Sequence, residues 1–207
     1  MGTRFWGPLG WMTFHSVSLN YPDQPSDVDK EIVDVFMAAF GSSITCPTCR
    51  QHFSDTFGVY RRIHPDWNSS RYNFFLMSVR IHNAVNRRLD KPSPRSVAES
   101  LEKLRSNTVH TTLAQFRQSY INYVIQNWNR ERTGEGMILL QKAREMDKIN
   151  KSYWSARECD LSTISFPEST VFEDYSRNSI NSAPAIPMMK SSGGLRLISG
   201  RLRFGNS

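Results

Sequence analysis

Cys46-Pro47-Thr48-Cys49 sets two of the chain's three cysteines one helical turn apart, and what precedes it decides the fold. A thioredoxin-like use of Cys-x-x-Cys needs a strand feeding the cysteine helix within a βαβ unit. Here the preceding stretch opens on Ser26 and Asp29 in capping-box form and carries Val28, Ile32, Val35, Phe36, Ala39 and Phe40 at helical spacing. Gly41-Ser42-Ser43 is expected to stop that helix. Pro47 suits the first turn of the next, which carries Cys49, Phe53, Phe57 and Tyr60 on one face. The motif therefore belongs to a helical domain.

Downstream, a helix is expected after Asn68-Ser69-Ser70, with Tyr72, Phe75, Val79, His82, Asn86 and Leu89 facing a single seam. Leu or Ile would serve packing better at positions 82 and 86, because an unpartnered buried polar group costs about 1–3 kcal/mol. Two such groups on one seam, with Asn83 beside them, favour a buried polar ligand over a satisfied core histidine. Lys91-Pro92-Ser93-Pro94 breaks the pattern. Capping boxes at Ser96–Glu99 and Thr112–Gln115 predict two more helices. Gly134-Glu135-Gly136 is expected to interrupt before a weaker helix from Met137 to about Asn150, and from about 162 the Ser-, Asn-, Pro- and Gly-rich tail should be largely disordered. Its end carries Lys190, Arg196, Arg201 and Arg203 without an acid, which reads as a solubilising terminus.

Bulk properties narrow the classes. A chain of 207 residues buries one core, so one domain with extensions is expected. The net charge of +7 is spread among interspersed acids, which suits a solvated surface and argues against nucleic acid as a partner. No stretch approaches the roughly 20 apolar residues of a membrane helix, and no basic-then-apolar leader opens the chain. A cytoplasmic protein with no membrane attachment is the expectation.

Three chemistries remain open for the cysteines. Cys46, Cys49 and His52, with His64 as a fourth ligand, could hold zinc in a non-enzymatic helical interaction module. A redox dithiol is the second, since a helix start favours thiolate and Arg50 adds to it. A structural disulfide is the third. Cys159, the odd thiol, reads as incidental.

Trp6-Gly7-Pro8, Trp11, His15, Tyr21-Pro22, Cys46-x-x-Cys49 and His82-Asn83-x-Val85-Asn86-x-x-Leu89-x-Lys91-Pro92 occur in the order and at the spacing of the Erv/ALR-like FAD-linked sulfhydryl oxidases. Among these the chain resembles the short cytoplasmic members carried by large DNA viruses. The resemblance implies an all-α fold: a four-helix bundle with a short fifth helix, here followed by extra C-terminal helices. It implies an FAD-binding domain over 1–95, beyond which the capping boxes give additional helices over 96–130 and the composition a C-terminal extension over 131–207 that matches nothing in the family. Gly7, Trp11, His15 and Tyr21 of the first helix, with His82, Asn83, Asn86 and Lys91 of the fourth, would contact FAD. Cys46 would exchange with reduced protein thiols or a small dithiol relay protein, Cys49 would lie beside the flavin, and electrons would pass to molecular oxygen, giving hydrogen peroxide. A homodimer located in the cytoplasm or a virion is implied as well. The chain departs from the family pattern in three places: Val79 and Ser96 replace a structural disulfide, Arg80 replaces a histidine, and no second, shuttle Cys-x-x-Cys is present.

Overall fold

The computed structural model describes residues 3–172, with side chains from Phe5 onward. Seven helices follow in order: α1 (Thr3–Leu19), α2 (Asp27–Ser43), α3 (Pro47–Ile63), α4 (Arg71–Arg88), α5 (Val97–Asn107), α6 (Leu113–Arg130) and α7 (Gly134–Ser152), then a 3-10 turn at Trp154–Ala156. No strand occurs among the described residues. The class is the all-α one expected, with the short α5 after four longer helices.

The helix starts follow from their caps. Ser26 and Asp29 exchange bonds at the head of α2, as do Thr112 and Gln115 at the head of α6. At α5 the box is offset: Ser96 accepts from the Glu99 N–H, while the Glu99 carboxylate takes the Arg95 N–H at 2.7 Å. Gly41 does not stop α2. A Cβ there would lie 3.1 Å from the Phe53 ring, so this glycine lets α3 pack closely, and the helix ends at Ser43, the last residue of the expected stop, with Ile44 as its C-cap. Nor does Gly134-Glu135-Gly136 interrupt. Thr133 caps α7 by accepting the Gly136 N–H at 3.0 Å, and a Cβ on Gly136 would sit 2.8 Å from the Glu131 carbonyl oxygen. First-turn N–H groups need a cap rather than a helical partner, so glycine is tolerated there.

α4 is the centre of the molecule rather than a one-faced helix. Phe74, Met77 and Ile81 enter a core shared with α1, α2, α3, α6 and α7. Phe75, Leu76 and Val79 enter a second core with Met12, Leu19 and the α5 residues Val97, Leu101 and Leu104. Leu89, expected on the seam, is half exposed past the helix end.

α6 lies along α1, and α7 lies along both α2 and α6. The Trp128 indole N–H donates to the Ser43 carbonyl at 2.8 Å, and buried Trp154 meets Phe36 edge-on at 5.7 Å. Arg117, fully buried, donates to Ser16, Asn150 and Glu158, tying α6 to α1, α7 and the segment beyond.

Over 161–172 the expected disorder is replaced by an extended strap. Ile164 and Val171 are buried in the second core, and Phe166 stacks on Phe75 at 5.2 Å. Scattered apolar residues suffice for this because α4 and α5 supply the receiving groove. The rest of the tail, with Lys190, Arg196, Arg201 and Arg203, lies outside the described residues. No helix among the described residues is long and apolar enough to cross a membrane.

Candidate active site

Cys46 is the N-cap of α3, Pro47 its first helical residue, and Cys49 the residue whose N–H donates to the Cys46 sulfur at 3.2 Å. The two cysteines are joined as a disulfide. A proline at the first helical position has no N–H to satisfy and a φ already set for helix, so the motif begins α3 without strain. Arg50, one residue on, donates to the Glu135 carboxylate at 2.8 Å and lies 5.7 Å from the Trp128 ring centroid. The first turns of α3 and α7 are thereby fastened together. The zinc alternative finds no support: among the described residues no group of three or more His, Cys, Asp or Glu could hold a metal.

Cys49 lines a cavity of about 670 Å³, whose other walls come from α1, the end of α2, Phe53 of α3, α4, α5 and the 91–94 turn. That volume is in the range of cofactor sites. Gly7, Trp11, His15, His82, Asn83, Asn86 and Lys91 all line it. Tyr21 does not. Its ring is fully buried against Phe74, and its hydroxyl donates to the Asn68 carbonyl at 3.0 Å, a core role. Arg80 is not in the wall either; it donates to the Thr170 carbonyl at 2.8 Å and to the Tyr60 hydroxyl at 3.3 Å. Ser100, Lys103 and Asn107 of α5, with Arg88, line the cavity too and went unread in the sequence. Their helix was visible from its cap, but nothing local says that it folds back over this chamber.

Trp11 and His82 stack face to face, with centroids 4.0 Å apart and planes 7° from parallel. His82 Nδ1 lies 2.9 Å from His15 Nε2, and His15 Nδ1 lies 2.9 Å from the Ser78 hydroxyl. The Ser78 hydroxyl proton goes to the Phe75 carbonyl at 2.7 Å, so Ser78 accepts from His15 Nδ1–H. In neutral rings His15 Nε2 then accepts from His82 Nδ1–H, leaving His82 Nε2 as a free acceptor nitrogen. Asn86 donates to the Pro92 carbonyl at 3.3 Å, and Lys91 N–H to the Asn86 carbonyl at 2.9 Å. These bonds fold the Lys-Pro turn over the end of α4, where Asp90 takes the left-handed conformation (φ 51°).

The histidine pair makes stability depend on pH. Burial holds His15 down at about 4, against an ordinary 6.5. Burial first, then the His15 and Lys91 charges, hold His82 well below the same value. An unfolded chain takes up these protons as pH drops through 6.5, whereas the folded chain resists until about 4. The stabilisation is therefore full above the upper value and lost as pH falls towards the lower one. For His15 alone it is worth about 3 kcal/mol. The melting temperature is expected to fall steadily from pH 7 to 4.5, with a shallower fall in His15→Gln. Equal slopes in the two proteins would show that the histidine pair does not govern the effect.

The chamber pairs apolar and aromatic walls (Trp11, Phe40, Phe53) with exposed cations (Arg88, Lys91, Lys103). Such a set fits a cofactor with a flat ring and an anionic part. The Asn83 side chain, almost fully buried, keeps its Oδ1 without a hydrogen-bond partner, an acceptor in want of a donor.

Residues 9–108 match the sequence model of the Erv1/Alr family. The chain is 34% identical over 89 residues to a putative FAD-linked sulfhydryl oxidase of Invertebrate iridescent virus 3, covering 43% of this chain and 59% of that one. It is 33% identical over 86 residues to a probable FAD-linked sulfhydryl oxidase of Acanthamoeba polyphaga mimivirus, covering 42% and 59%. With the FAD-linked sulfhydryl oxidase ERV2 of Saccharomyces cerevisiae it shares 29% identity over 85 residues, covering 41% of each chain. The match thus spans less than two thirds of each of these relatives. No solved structure matches the chain significantly. The disulfide, the histidine pair and the turn over α4 all fall inside the matched span, and it is over residues 9–108 that the chain is similar to the Erv1/Alr family.

Proposed function

We propose that the chain is an FAD-dependent thiol oxidase that forms disulfide bonds in protein substrates and passes the electrons to oxygen, giving hydrogen peroxide. The observation that carries the reading is the placement of Cys49, half of a disulfide, in the wall of a cavity whose opposite elements supply the Trp11–His82 stack. A substrate thiolate attacks Cys46 Sγ, the Cys46–Cys49 bond breaks, and Cys49 leaves as thiolate. A second substrate thiolate then attacks the mixed disulfide, releasing the oxidised substrate and leaving both cysteines reduced. The Cys49 N–H donates to Cys46 Sγ, and the positive end of α3 favours thiolate at both cysteines. When bound, FAD supplies the two-electron acceptor that re-forms the disulfide and hands the electrons to oxygen. Trp11 and His82 would hold its ring, His82 Nε2 and Asn83 Oδ1 would accept from its donors, and Lys91 with Arg88 and Lys103 would meet its phosphates.

Substrates of the class of reduced proteins or a small dithiol relay protein, a homodimeric state and a cytoplasmic or virion location complete the proposal, on the resemblance to viral members. Since α6 and α7 already cover α1 and α2, a second copy would use another face. The absorption spectrum of the purified protein tests the cofactor. His82→Leu is expected to lower flavin occupancy and melting temperature together. Bound ligand at a hundredfold over Kd stabilises by about 2.7 kcal/mol, and that increment goes with it. A fully yellow, more stable Leu variant would overturn the assignment.

A further inference from the structure

The strap over 161–172 lies outside the family match, yet it reaches the cavity wall. Arg105 of α5 donates to the Leu161 carbonyl at 3.1 and 3.0 Å and to the Ile164 carbonyl at 2.8 Å. Arg80 donates to the Thr170 carbonyl at 2.8 Å. The Asn83 amide nitrogen donates to the Val171 carbonyl at 3.3 Å and to the Pro94 carbonyl at 3.1 Å. Two carbonyls can be satisfied only by the NH2 end of the amide, so its orientation is forced. The consequence is that Oδ1 accepts no bond from the strap; it is buried, unpartnered, and belongs to a side chain that lines the cavity. The packing agrees: Ile164 and Val171 sit in the same core as Met12, Val79 and Leu104, which are themselves cavity residues.

We propose that the 161–172 strap is a positioning element for the cofactor site, fixing the Asn83 amide through the Val171 carbonyl so that Oδ1 is held ready for a donor of the bound cofactor. The inference rests on the FAD reading. Val171 and Asn83 are positioning residue and contact residue of one device, 88 positions apart in sequence.

The test is FAD titration of the flavin-depleted full chain, followed by quenching of flavin fluorescence, for the parent, Val171→Asp, Asn83→Ala and the double variant, with circular dichroism to check the fold. Val171→Asp puts a charge into the second core and unseats the strap. It is expected to weaken FAD binding about tenfold, the worth of one well-placed hydrogen bond. In the Asn83→Ala background the same change is expected to have little further effect, because linked residues are not additive. If Val171→Asp does not fold, Phe166→Ala, which only loosens the strap, takes its place in the cycle. Unchanged FAD affinity in a folded strap variant, or losses that multiply independently, would overturn the inference while leaving the FAD reading intact. A parent that binds no FAD overturns both.

Discussion

Cys49→Ser is expected to abolish thiol oxidation while leaving a folded, yellow protein. Cys49 contributes half of the disulfide and part of the cavity wall, but no buried hydrogen bond other than its backbone one to Cys46 Sγ. Serine keeps that backbone bond and the helix start. Cys46→Ser is expected to be as inactive and as stable, since serine is itself a favoured N-cap and would accept the bond that Cys46 Sγ accepts now. The two variants differ in what they leave behind. With Cys46 gone, Cys49 is a free thiol in the cavity wall, and a long-wavelength absorbance band that grows with pH is expected from its thiolate beside bound flavin. Normal peroxide production from a dithiol substrate in either variant would sink the mechanism.

The largest effect on stability is expected at Arg117, far from the dithiol. This guanidinium is fully buried and donates to Asn150 Oδ1 at 2.9 Å, to the Ser16 hydroxyl and to the Glu158 carboxylate. Arg117→Ala removes three bonds, opens a void between α1, α6 and α7, and strands the Asn150 acceptor. Glu158 is exposed and is left in water, so the cost comes from the void and the stranded Asn150 acceptor, together about 3–5 kcal/mol. For a chain of this size that is a fall of roughly 10 °C in melting temperature. Arg117→Met fills the void without a charge and is expected to recover part of the loss. A Tm for Arg117→Ala within error of the parent would show that the network contributes nothing.

What could be read from sequence divides along physical lines. Helix starts were legible because caps are local: Ser26, Ser70, Ser96 and Thr112 each bind an amide three residues on. Stops were less so, since Gly41 and Gly136 answer to Phe53 and to Glu131, contacts that no local pattern displays. The polar residues His82 and Asn86 pointed to the cavity because polar side chains on an apolar seam require partners. Tyr21 misled for the converse reason: a tyrosine is equally at home in a core once its hydroxyl finds a carbonyl. The strap was unreadable, its Ser- and Pro-rich composition being that of a disordered tail while the groove it fills is made by α4 and α5.

The packing of α6 on α1 and of α7 on α2 separates two boundaries that are easily taken for one. The match to the Erv1/Alr family model ends at residue 108. Cooperative unfolding cannot stop there, because Tyr120, Ile121, Val124, Trp128 and Met146 belong to the same core as Phe14 and Phe36. A chain severed after the matched span would present the α1 and α2 faces to water and would be recovered as aggregate rather than as a minimal enzyme. In amide exchange, then, α6 should open together with α1, the matched span and the helices beyond it behaving as a single thermodynamic unit.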